Sequence, residues 1–362
     1  MSQATMTNRL ARDLDNILAR TEPLWHELRG QRILITGATG FFGCWLLESF
    51  AWANRRLNLK AGAVALSRHP EALTQKASHL ASDPAIALHA ADVRHDAFPQ
   101  AAFSHIVHAA TEASAALNQQ TPLTMFDTIV NGTRRVLEFA AAKSVRKFLF
   151  VSSGAVYGTQ PPQLAHVGES FAGAPDPLDP ASAYAEGKRS AELLCALAAS
   201  SDLEIKIARC FAFVGPYMLL DAHFAIGNFI YDRLHHRPIG VRGDGSAVRS
   251  YLYAADLMVW LWTIFFKGQS RRAYNVGSED ALNIATLAGE VADALPPAAE
   301  VNVASKVTPG APVHRYVPCT ARAREELGLR AEVPLREAIC RTHAWFSGNT
   351  FSEQAVPRGT HA

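Results

Sequence analysis

The stretch Ile33-Leu-Ile-Thr-Gly37-Ala-Thr-Gly40-Phe-Phe-Gly43-Cys-Trp-Leu-Leu47 decides the fold of this 362-residue chain. An apolar run meets a glycine cluster and then an amphipathic segment, which predicts a strand, a tight turn and a helix. Gly37 allows the turn, Gly40 lets backbone approach a pyrophosphate at the helix N-terminus, and Gly43 lets the helix pack closely on the strand. The alternative is a tight turn without a ligand. We expect a dinucleotide to bind here, against Gly37, Thr39, Gly40, Phe41, Phe42 and Gly43.

The run Tyr184-Ala-Glu-Gly-Lys188 places a phenol and an amine four residues apart. On a helix such residues lie one above the other, and a neighbouring cation favours the phenolate. We therefore expect Lys188 to lower the pKa of Tyr184 toward the working pH, where the phenol transfers protons efficiently. A second strand pattern, Phe148-Leu-Phe-Val-Ser152-Ser153, ends in hydroxyls at the sheet edge where ligands bind. These features indicate redox chemistry at a carbinol carbon; the alternative is an exposed helix pair and ordinary hydrogen-bonded hydroxyls.

Strand patterns alternate with helical stretches up to about residue 212. Strands are predicted from about Arg32 and at 62–66, 86–90, 105–109, 148–152 and 205–208, with helices at 126–144 and 183–200. This alternation predicts an α/β fold with a doubly wound parallel sheet, and substrate between the sheet and a smaller, mostly C-terminal lobe. We expect a helical extension over 1–30, a dinucleotide-binding domain over 31–212 plus 247–276, a substrate-binding lobe over 213–246 plus 277–347, and a flexible tail over 348–362.

Composition narrows the possible functions. Hydrophobic residues make up 49% of the chain, enough for a large core, and 35 basic against 33 acidic residues leave a formal net charge of only +2. This balance indicates neither nucleic acid nor a membrane surface as partner. Five widely spaced cysteines argue against a disulfide framework, and no metal-ligand spacing is found. Without a signal peptide or a long apolar run, we expect a cytoplasmic protein.

The motifs together resemble a known family. The G-x-x-G-x-x-G from Gly37 to Gly43, the Ser-Ser-x-x-Val-Tyr-Gly run from Ser152, and Tyr184-x-x-x-Lys188 are similar to those of extended short-chain dehydrogenases/reductases. More narrowly, they resemble the NAD(P)-dependent nucleotide-sugar epimerase/dehydratase family, with further matches in family order from residue 31 to about 290. The resemblance implies a nucleotide-diphosphate sugar as substrate. It also implies a homodimer in which helix 126–144 and the Tyr184 helix join a four-helix bundle; burial within the monomer is the alternative.

The cofactor is predicted from the end of the second strand. An acidic residue there would bind the adenosine ribose, but Ser67 and Arg68 stand at that place. Because an arginine pairs with a 2′-phosphate, NADP(H) is favoured and NAD(H) stays possible, with Arg68 as a solvated loop charge in the alternative. By resemblance, Asp92 and Val93 contact the adenine, unless Asp92 only caps a turn. Ala109 and Ala110 would then bring backbone close to the cofactor.

The resemblance also implies the roles of the catalytic and substrate-binding residues. Tyr184 carries the proton to or from the sugar oxygen, Ser153 hydrogen-bonds that oxygen, and Lys188 anchors the nicotinamide ribose as well. For the substrate, Arg249 grips the diphosphate, although Arg242 could share or replace that role. The other expected substrate contacts are Ser153, Gly154 and Asn228, of which Asn228 could instead cap a helix.

Several positions depart from the family pattern. Gly154 and Ala155 replace the Asp-Glu pair of related 4,6-dehydratases, and Ala155 also replaces the glutamate of related decarboxylases. Gly154 and Tyr217 replace the cysteine and histidine of epimerising GDP-sugar reductases, and Ala212 replaces a common asparagine. The chain therefore lacks the acids and bases of those reactions. We expect reduction of a nucleotide-linked 4-keto-(6-deoxy) sugar at C4; the alternatives are a 4-epimerase with tightly bound NAD and a noncatalytic dinucleotide-binding sensor or scaffold.

Overall fold

A computed structural model describes residues 8–111, 115–222 and 224–348. Except for Gly348, the expected flexible tail lies outside these residues. The strands are β1 (Arg32–Thr36), β2 (Gly62–Ser67), β3 (Ile86–Ala90), β4 (His105–His108), β5 (Lys147–Ser153), β6 (Glu204–Cys210), β7 (Phe213–Val214), β8 (Ile239–Val241), β9 (Val248–Arg249), β10 (Leu252–Tyr253), β11 (Arg272–Val276), β12 (Leu282–Asn283), β13 (Val301–Val303) and β14 (Arg315–Tyr316).

The α-helices are α1 (Ala11–Thr21), α2 (Phe41–Arg56), α3 (Glu71–Lys76), α4 (Ser78–Ala81), α5 (Ala115–Gln120), α6 (Pro122–Ala142), α7 (Ala183–Ala198), α8 (Ala225–Leu234), α9 (Ala254–Lys267), α10 (Ile284–Ala294), α11 (Ala321–Leu327) and α12 (Leu335–Phe346). Shorter 3-10 segments lie at Glu22–Leu28, Gly154–Tyr157 and Pro180–Ser182.

Within the described residues, seven parallel strands form one sheet in the order β11-β6-β5-β4-β1-β2-β3. Except for the edge strand β3, which is largely exposed, the strands are mostly buried on both faces, so their apolar runs are continuous rather than alternating. The strand order reverses between β1 and β4, and ligands bind such sheets at the carboxyl ends of the strands beside that point. Thr36 pairs with His108 at the ends of these two strands, so the loops that follow them meet. The predicted doubly wound α/β fold is confirmed.

Helix α9 is apolar on all sides and packs against β5 and β6. Its other side is covered by α1 and α2, and Leu14 and Ile17 of α1 are each 1% exposed. Asp13, also buried, accepts a hydrogen bond of 2.7 Å from Tyr253 Oη. The N-terminal helix is thus part of the main core. Among the described residues, no helix is both long enough and apolar enough to span a membrane.

Short strands after β6 form three small sheets. β7 pairs with β10, β8 pairs with β13, and β9 pairs with both β12 and β14. In the last pairing Tyr316 lies opposite Arg249. The pairing holds residue 316 at the carboxyl ends of β5 and β6, where its hydroxyl is 3.4 Å from the Cys210 carbonyl oxygen. The boundaries of the proposed domain and lobe stay a prediction.

Candidate active site

The glycine-rich turn joins β1 to α2 beside the loop after β4. Gly37 has a φ of +70°, and a Cβ at this position would lie 2.4 Å from the Ala109 carbonyl oxygen. A Cβ on Gly43 would lie 2.4 Å from Ala38 Cα, so both positions require glycine for steric reasons. Gly40 is different, because the nearest atom to its Cβ would be the Gly37 carbonyl oxygen at 3.4 Å. The protein alone does not demand glycine at position 40.

Helix α2 begins at Phe41 with Gly40 as its N-cap, and no described side chain caps it. The first amides of such a helix need acceptors, and the helix dipole favours an anion there. Phe41 and Phe42 are partly buried, and Phe42 packs edge-on against Phe213 at 5.5 Å between ring centroids. The turn therefore fits the pyrophosphate of a dinucleotide, as the sequence predicted.

Residues expected around the adenosine lie at the ends of β2 and β3. Thr39 Oγ1 and Ser67 Oγ are 2.9 Å apart, which links the glycine turn to the end of β2. Arg68 follows and is exposed. Asp92 accepts from the Arg94 backbone amide at 2.9 Å and from the Arg94 guanidinium at 2.8 and 3.0 Å. The Arg94 hydrogen bonds lower the pKa of Asp92 to about 2, so its carboxylate is charged at neutral pH.

Asp92 therefore caps a turn and pairs with Arg94, and its predicted contact with adenine stays a prediction. Val93 is buried against Gly132 of α6. Ala109 and Ala110 lie where the loop after β4 meets Gly37. The Ala109 amide donates to Thr36 Oγ1 at 3.2 Å, which fixes this loop to the end of β1.

The predicted catalytic residues converge at the carboxyl end of β5. Ser153 ends this strand, and its hydroxyl is close enough to the Tyr184 hydroxyl on α7 to act on the pKa of that phenol. Lys188 Nζ lies 5.9 Å from the centroid of the Tyr184 ring, over its face, and donates to the Val151 carbonyl oxygen at 2.7 Å. A longer bond of 3.3 Å joins it to Thr111 Oγ1. A serine, a tyrosine and a lysine thus share one buried corner of the sheet edge.

Burial controls the protonation of both residues. It raises the pKa of Tyr184 to about 12, although the nearby Ser153 hydroxyl acts in the opposite direction. It lowers the pKa of Lys188 to about 8. The pKa of Tyr184 is thus raised by burial rather than lowered toward the working pH, and the lowering effect expected from Lys188 stays a prediction. The ammonium is bonded to the Val151 carbonyl and lies over the ring rather than at the hydroxyl, and desolvation penalises the phenolate.

Tyr316 is a residue of the site that the sequence did not reveal. Its hydroxyl lies 3.4 Å from Ser153 Oγ, so two phenols flank this serine. Burial raises the pKa of Tyr316 above its ordinary value, and the phenol is neutral at pH 7. The Tyr316 ring packs on Phe211 with 4.6 Å between centroids. No sequence signal marks Tyr316, because it belongs to a two-residue strand far along the chain.

The Phe211 ring lies directly beside Gly154. A Cβ on Gly154 would be 2.6–2.8 Å from three ring carbons of Phe211. Gly154 begins the 3-10 segment after β5, where the Ala155 amide donates to Ser153 Oγ at 3.1 Å. The space beside Gly154, next to the serine hydroxyl, is therefore occupied by an aromatic ring.

The expected substrate contacts differ in their placement. Arg249 donates to the carbonyl oxygens of Val248 and His314 at 2.8 and 3.1 Å, and its guanidinium lies 6.0 Å from the Tyr316 ring centroid. This brings Arg249 beside Tyr316, the residue that contacts the predicted catalytic Ser153.

Asn228 lies inside α8, whose N-cap is Phe224, so the alternative that Asn228 caps this helix is wrong. Arg242 is exposed after β8. Among the described residues, no group of histidine, cysteine and carboxylate side chains is arranged to hold a metal.

This chain is similar to known proteins over most of its length. The sequence model of the NAD dependent epimerase/dehydratase family matches residues 33–277. UDP-glucuronic acid decarboxylase 3 of Arabidopsis thaliana is 30% identical over 311 residues, which cover 85% of this chain and 86% of the relative. UDP-glucuronic acid decarboxylase 2 of the same plant is 28% identical over 338 residues, covering 92% of this chain and 72% of the relative.

Two solved structures show the same fold. The dTDP-glucose 4,6-dehydratase of Streptomyces venezuelae, solved with NAD, has a TM-score of 0.74 at 24% identity and covers 88% of this chain and 97% of its own. UDP-glucose 4-epimerase of Thermotoga maritima, solved with UDP-glucose, has a TM-score of 0.72 at 20% identity, with coverage of 88% and 99%. From the family match, the shared fold and the Ser153, Tyr184 and Lys188 cluster, the chain belongs to the NAD dependent epimerase/dehydratase family of extended short-chain dehydrogenases/reductases.

Proposed function

We propose that this protein is an NAD(P)-dependent reductase that converts the C4 ketone of a nucleotide-linked 4-keto-6-deoxy sugar to an alcohol. The observation that carries the proposal is the neutral Tyr184 phenol beside Ser153, next to Gly154 and Ala155. The phenol is protonated at neutral pH, which is the form that a proton donor must have. A ketone reduction needs one side chain that donates a proton. It needs no second acidic or basic side chain that acts at a neighbouring carbon of the sugar.

Each residue then has one task. When bound, the nicotinamide supplies hydride to the carbonyl carbon. Tyr184 Oη gives its proton to the sugar oxygen as that oxygen becomes a hydroxyl, and Ser153 Oγ donates a hydrogen bond to the same oxygen. The Lys188 ammonium lies over the Tyr184 ring, where it stabilises negative charge that develops on the phenol. Arg249 provides a guanidinium for the substrate diphosphate, with Asn228 as a further contact.

NADP(H) is our favoured cofactor. The support is the end of β2, where Ser67 and the exposed Arg68 replace an acidic residue. NAD(H) is the alternative, and NAD is present in the solved dehydratase structure of Streptomyces venezuelae. Equilibrium binding of NADPH and NADH separates the two. We expect Arg68→Gln to weaken NADPH binding roughly tenfold and leave NADH binding unchanged, as expected for loss of a charged contact. Arg56→Gln, on the exposed end of α2, is the control.

The curated relatives name a different reaction, since they are UDP-glucuronic acid decarboxylases. Decarboxylation is disfavoured for this chain by Ala155, which offers no carboxylate, and by Phe211, which fills the space beside Gly154. A 4-epimerase that keeps NAD bound uses the same three residues. A reduction begins from the protonated Tyr184 phenol, whereas an epimerase must first take a proton from the sugar hydroxyl, and the protonated form therefore supports the reductase.

We also propose a homodimer built on α6 and α7. These helices pack on each other, and α7 turns Leu193 and Leu197 outward with 61% and 73% exposure, while Leu123 on α6 is 71% exposed. Exposed leucines on both of these packed helices support a protein interface along them. Light scattering after gel filtration measures the mass directly. We expect a dimer that Leu197→Lys dissociates, whereas Leu178→Lys, at an exposed position outside both helices, leaves it intact.

The decisive experiment incubates the purified protein with NADPH or NADH and a panel of nucleotide-linked 4-keto-6-deoxy sugars, nucleotide hexoses and UDP-glucuronic acid. Nicotinamide absorbance and NMR of the product sugar are followed. Stoichiometric cofactor oxidation with a new C4 alcohol supports the reductase. Interconversion of hexoses without cofactor consumption, or release of carbon dioxide from UDP-glucuronic acid, would overturn it.

A further inference from the structure

Glu192 lies on α7 one turn after Lys188 and two turns after Tyr184. Residues four apart on a helix lie on one face, so the three side chains face the end of β5 together. Lys188 Nζ donates to the carbonyl oxygen of Val151 at 2.7 Å, and Glu192 Oε1 accepts from Ser152 Oγ at 2.6 Å. The two strand residues that precede the catalytic serine are thus each bonded to the helix that carries the catalytic tyrosine and lysine.

The Glu192 carboxylate is held on its other side by Arg209 of β6. The guanidinium donates to it through Nε at 3.0 Å and through Nη2 at 2.7 Å, and the two side chains are only 12% and 17% exposed. Arg209 also donates to Tyr157 Oη at 2.9 Å, in the turn that follows Ser153. Such paired, planar hydrogen bonds fix orientation, and they keep a buried carboxylate charged.

Glu192 also faces the environment of Lys188. The titratable groups packed around that ammonium are Glu192, Cys195 and Tyr184 on α7, Cys210 on β6 and His108 on β4. Burial raises the pKa of both thiols and of the phenol, and it lowers the pKa of His108 to about 3, so these four groups are neutral at pH 7. Glu192 is the carboxyl group in this set, and it is held in an ion pair with Arg209.

We propose that Glu192 is a positioning residue: held by Arg209, its carboxylate fixes the end of β5 that carries Ser153 against the face of α7 that carries Tyr184 and Lys188. The proposal rests on the proposed function, because it concerns the same three residues. Glu192 touches neither the reacting oxygen nor the cofactor in this arrangement. It acts through Ser152, the neighbour of Ser153, and through its charge near Lys188.

The test compares Glu192→Gln with Glu186→Gln, which removes a carboxylate from the same helix at a site where its ion pair within the described residues is with Arg189, 3.7 Å away. Two quantities are measured: the pH dependence of NADPH binding, and kcat and KM for the sugar. We expect Glu192→Gln to lower kcat about tenfold with KM nearly unchanged. We also expect the alkaline loss of NADPH binding to move about one pH unit lower, because an anion near Lys188 is lost. Glu186→Gln should match wild type.

Ser152→Ala provides a second variant that leaves the Glu192–Arg209 pair intact. It should lower kcat without moving the pH dependence of NADPH binding, since only the hydrogen bond to β5 is lost. The proposal is wrong if Glu192→Gln keeps the wild-type kcat and the wild-type pH dependence of NADPH binding. It is also wrong if activity and binding fall only in proportion to the fraction of the variant that is unfolded. If wild type binds NADPH but reduces none of the sugars, the proposed function fails, and the binding profiles still decide the role of Glu192.

Discussion

The Phe211 ring occupies the volume in which a side chain at Gly154 would lie, with three ring carbons 2.6–2.8 Å from the position of its Cβ. The ring has little room to move, because Phe211 is 8% exposed and stacks on Tyr316. The glycine is therefore required by its neighbour and not by its backbone conformation. This pair also excludes an acid or a base at residue 154.

The first prediction concerns the coupling of these two residues. Gly154→Ala alone should lower the free energy of unfolding by about 1–3 kcal/mol, the usual cost of overpacking. In a Phe211→Leu background the same change should cost at least about 1 kcal/mol less, because the smaller side chain leaves room for the methyl group. Urea unfolding of the four proteins measures this double-mutant cycle. Strictly additive free energies would show that the ring moves aside without cost.

The second prediction separates the two phenols at Ser153. Tyr184→Phe removes the proton donor and should lower kcat by roughly 10²–10⁴-fold. Tyr316→Phe should lower it only a few-fold, about the effect of one neutral hydrogen bond, because its hydroxyl reaches Ser153 Oγ at a long 3.4 Å. Steady-state kinetics with the 4-keto sugar as substrate measure kcat for both variants. Equal losses would assign proton transfer to the pair rather than to Tyr184.

The fold could be predicted because buried parallel strands are continuous apolar runs. The strand expected at 148–152 is Lys147–Ser153, and the one expected at 62–66 is Gly62–Ser67. The glycine turn could also be predicted, because backbone atoms leave no room for a side chain at Gly37 or Gly43. For Gly43 these atoms belong to the same motif, and for Gly37 they belong to the loop after β4, the neighbour of β1 in the sheet. Local sequence carries these constraints, so the pattern is enough to find them.

Two features of the site could not be predicted from the sequence and became visible only in the structure. Tyr316 reaches Ser153 through the pairing of two-residue strands, and such strands have no recognisable period. The pKa of Tyr184 depends on how deeply the α7 face is buried, and spacing along a helix says nothing about depth. The spacing rule correctly placed Lys188 beside the Tyr184 ring, but it could not predict the burial that raises the pKa of the phenol.

The third prediction follows from the buried Lys188 ammonium. Its pKa is lowered to about 8 in the folded protein, against about 10.4 in an unfolded chain. Below pH 8 both states are protonated and the cost of burying the charge is fully present. Between these two pKa values the unfolded state binds more protons, so this cost disappears as the pH rises. Relative to Lys188→Met, wild type should therefore gain roughly 2–3 kcal/mol of stability between pH 7 and 10.5.

Chemical denaturation across this pH range measures the difference between wild type and Lys188→Met. Lys306→Met, at an exposed lysine, is the control and should follow wild type at every pH. The Lys188 variant should also lose NADPH binding at pH 7. A difference in stability that does not change with pH would mean that Lys188 has the same pKa in the folded and unfolded protein, and the burial cost assigned to its charge would be wrong.

The fourth prediction separates the structural and ligand-binding glycines of the turn. Gly43→Ala places a Cβ 2.4 Å from Ala38 Cα and from the Gly37 carbonyl oxygen, so it should cost about 1–3 kcal/mol of stability or more. Gly40→Ala meets its nearest atom at 3.4 Å and should cost less than about 1 kcal/mol. Its methyl group would instead face a pyrophosphate, so NADPH binding should weaken roughly tenfold. Thermal unfolding and NADPH titration of both variants decide the matter: a Gly40→Ala protein that binds NADPH like wild type places the phosphates away from this turn.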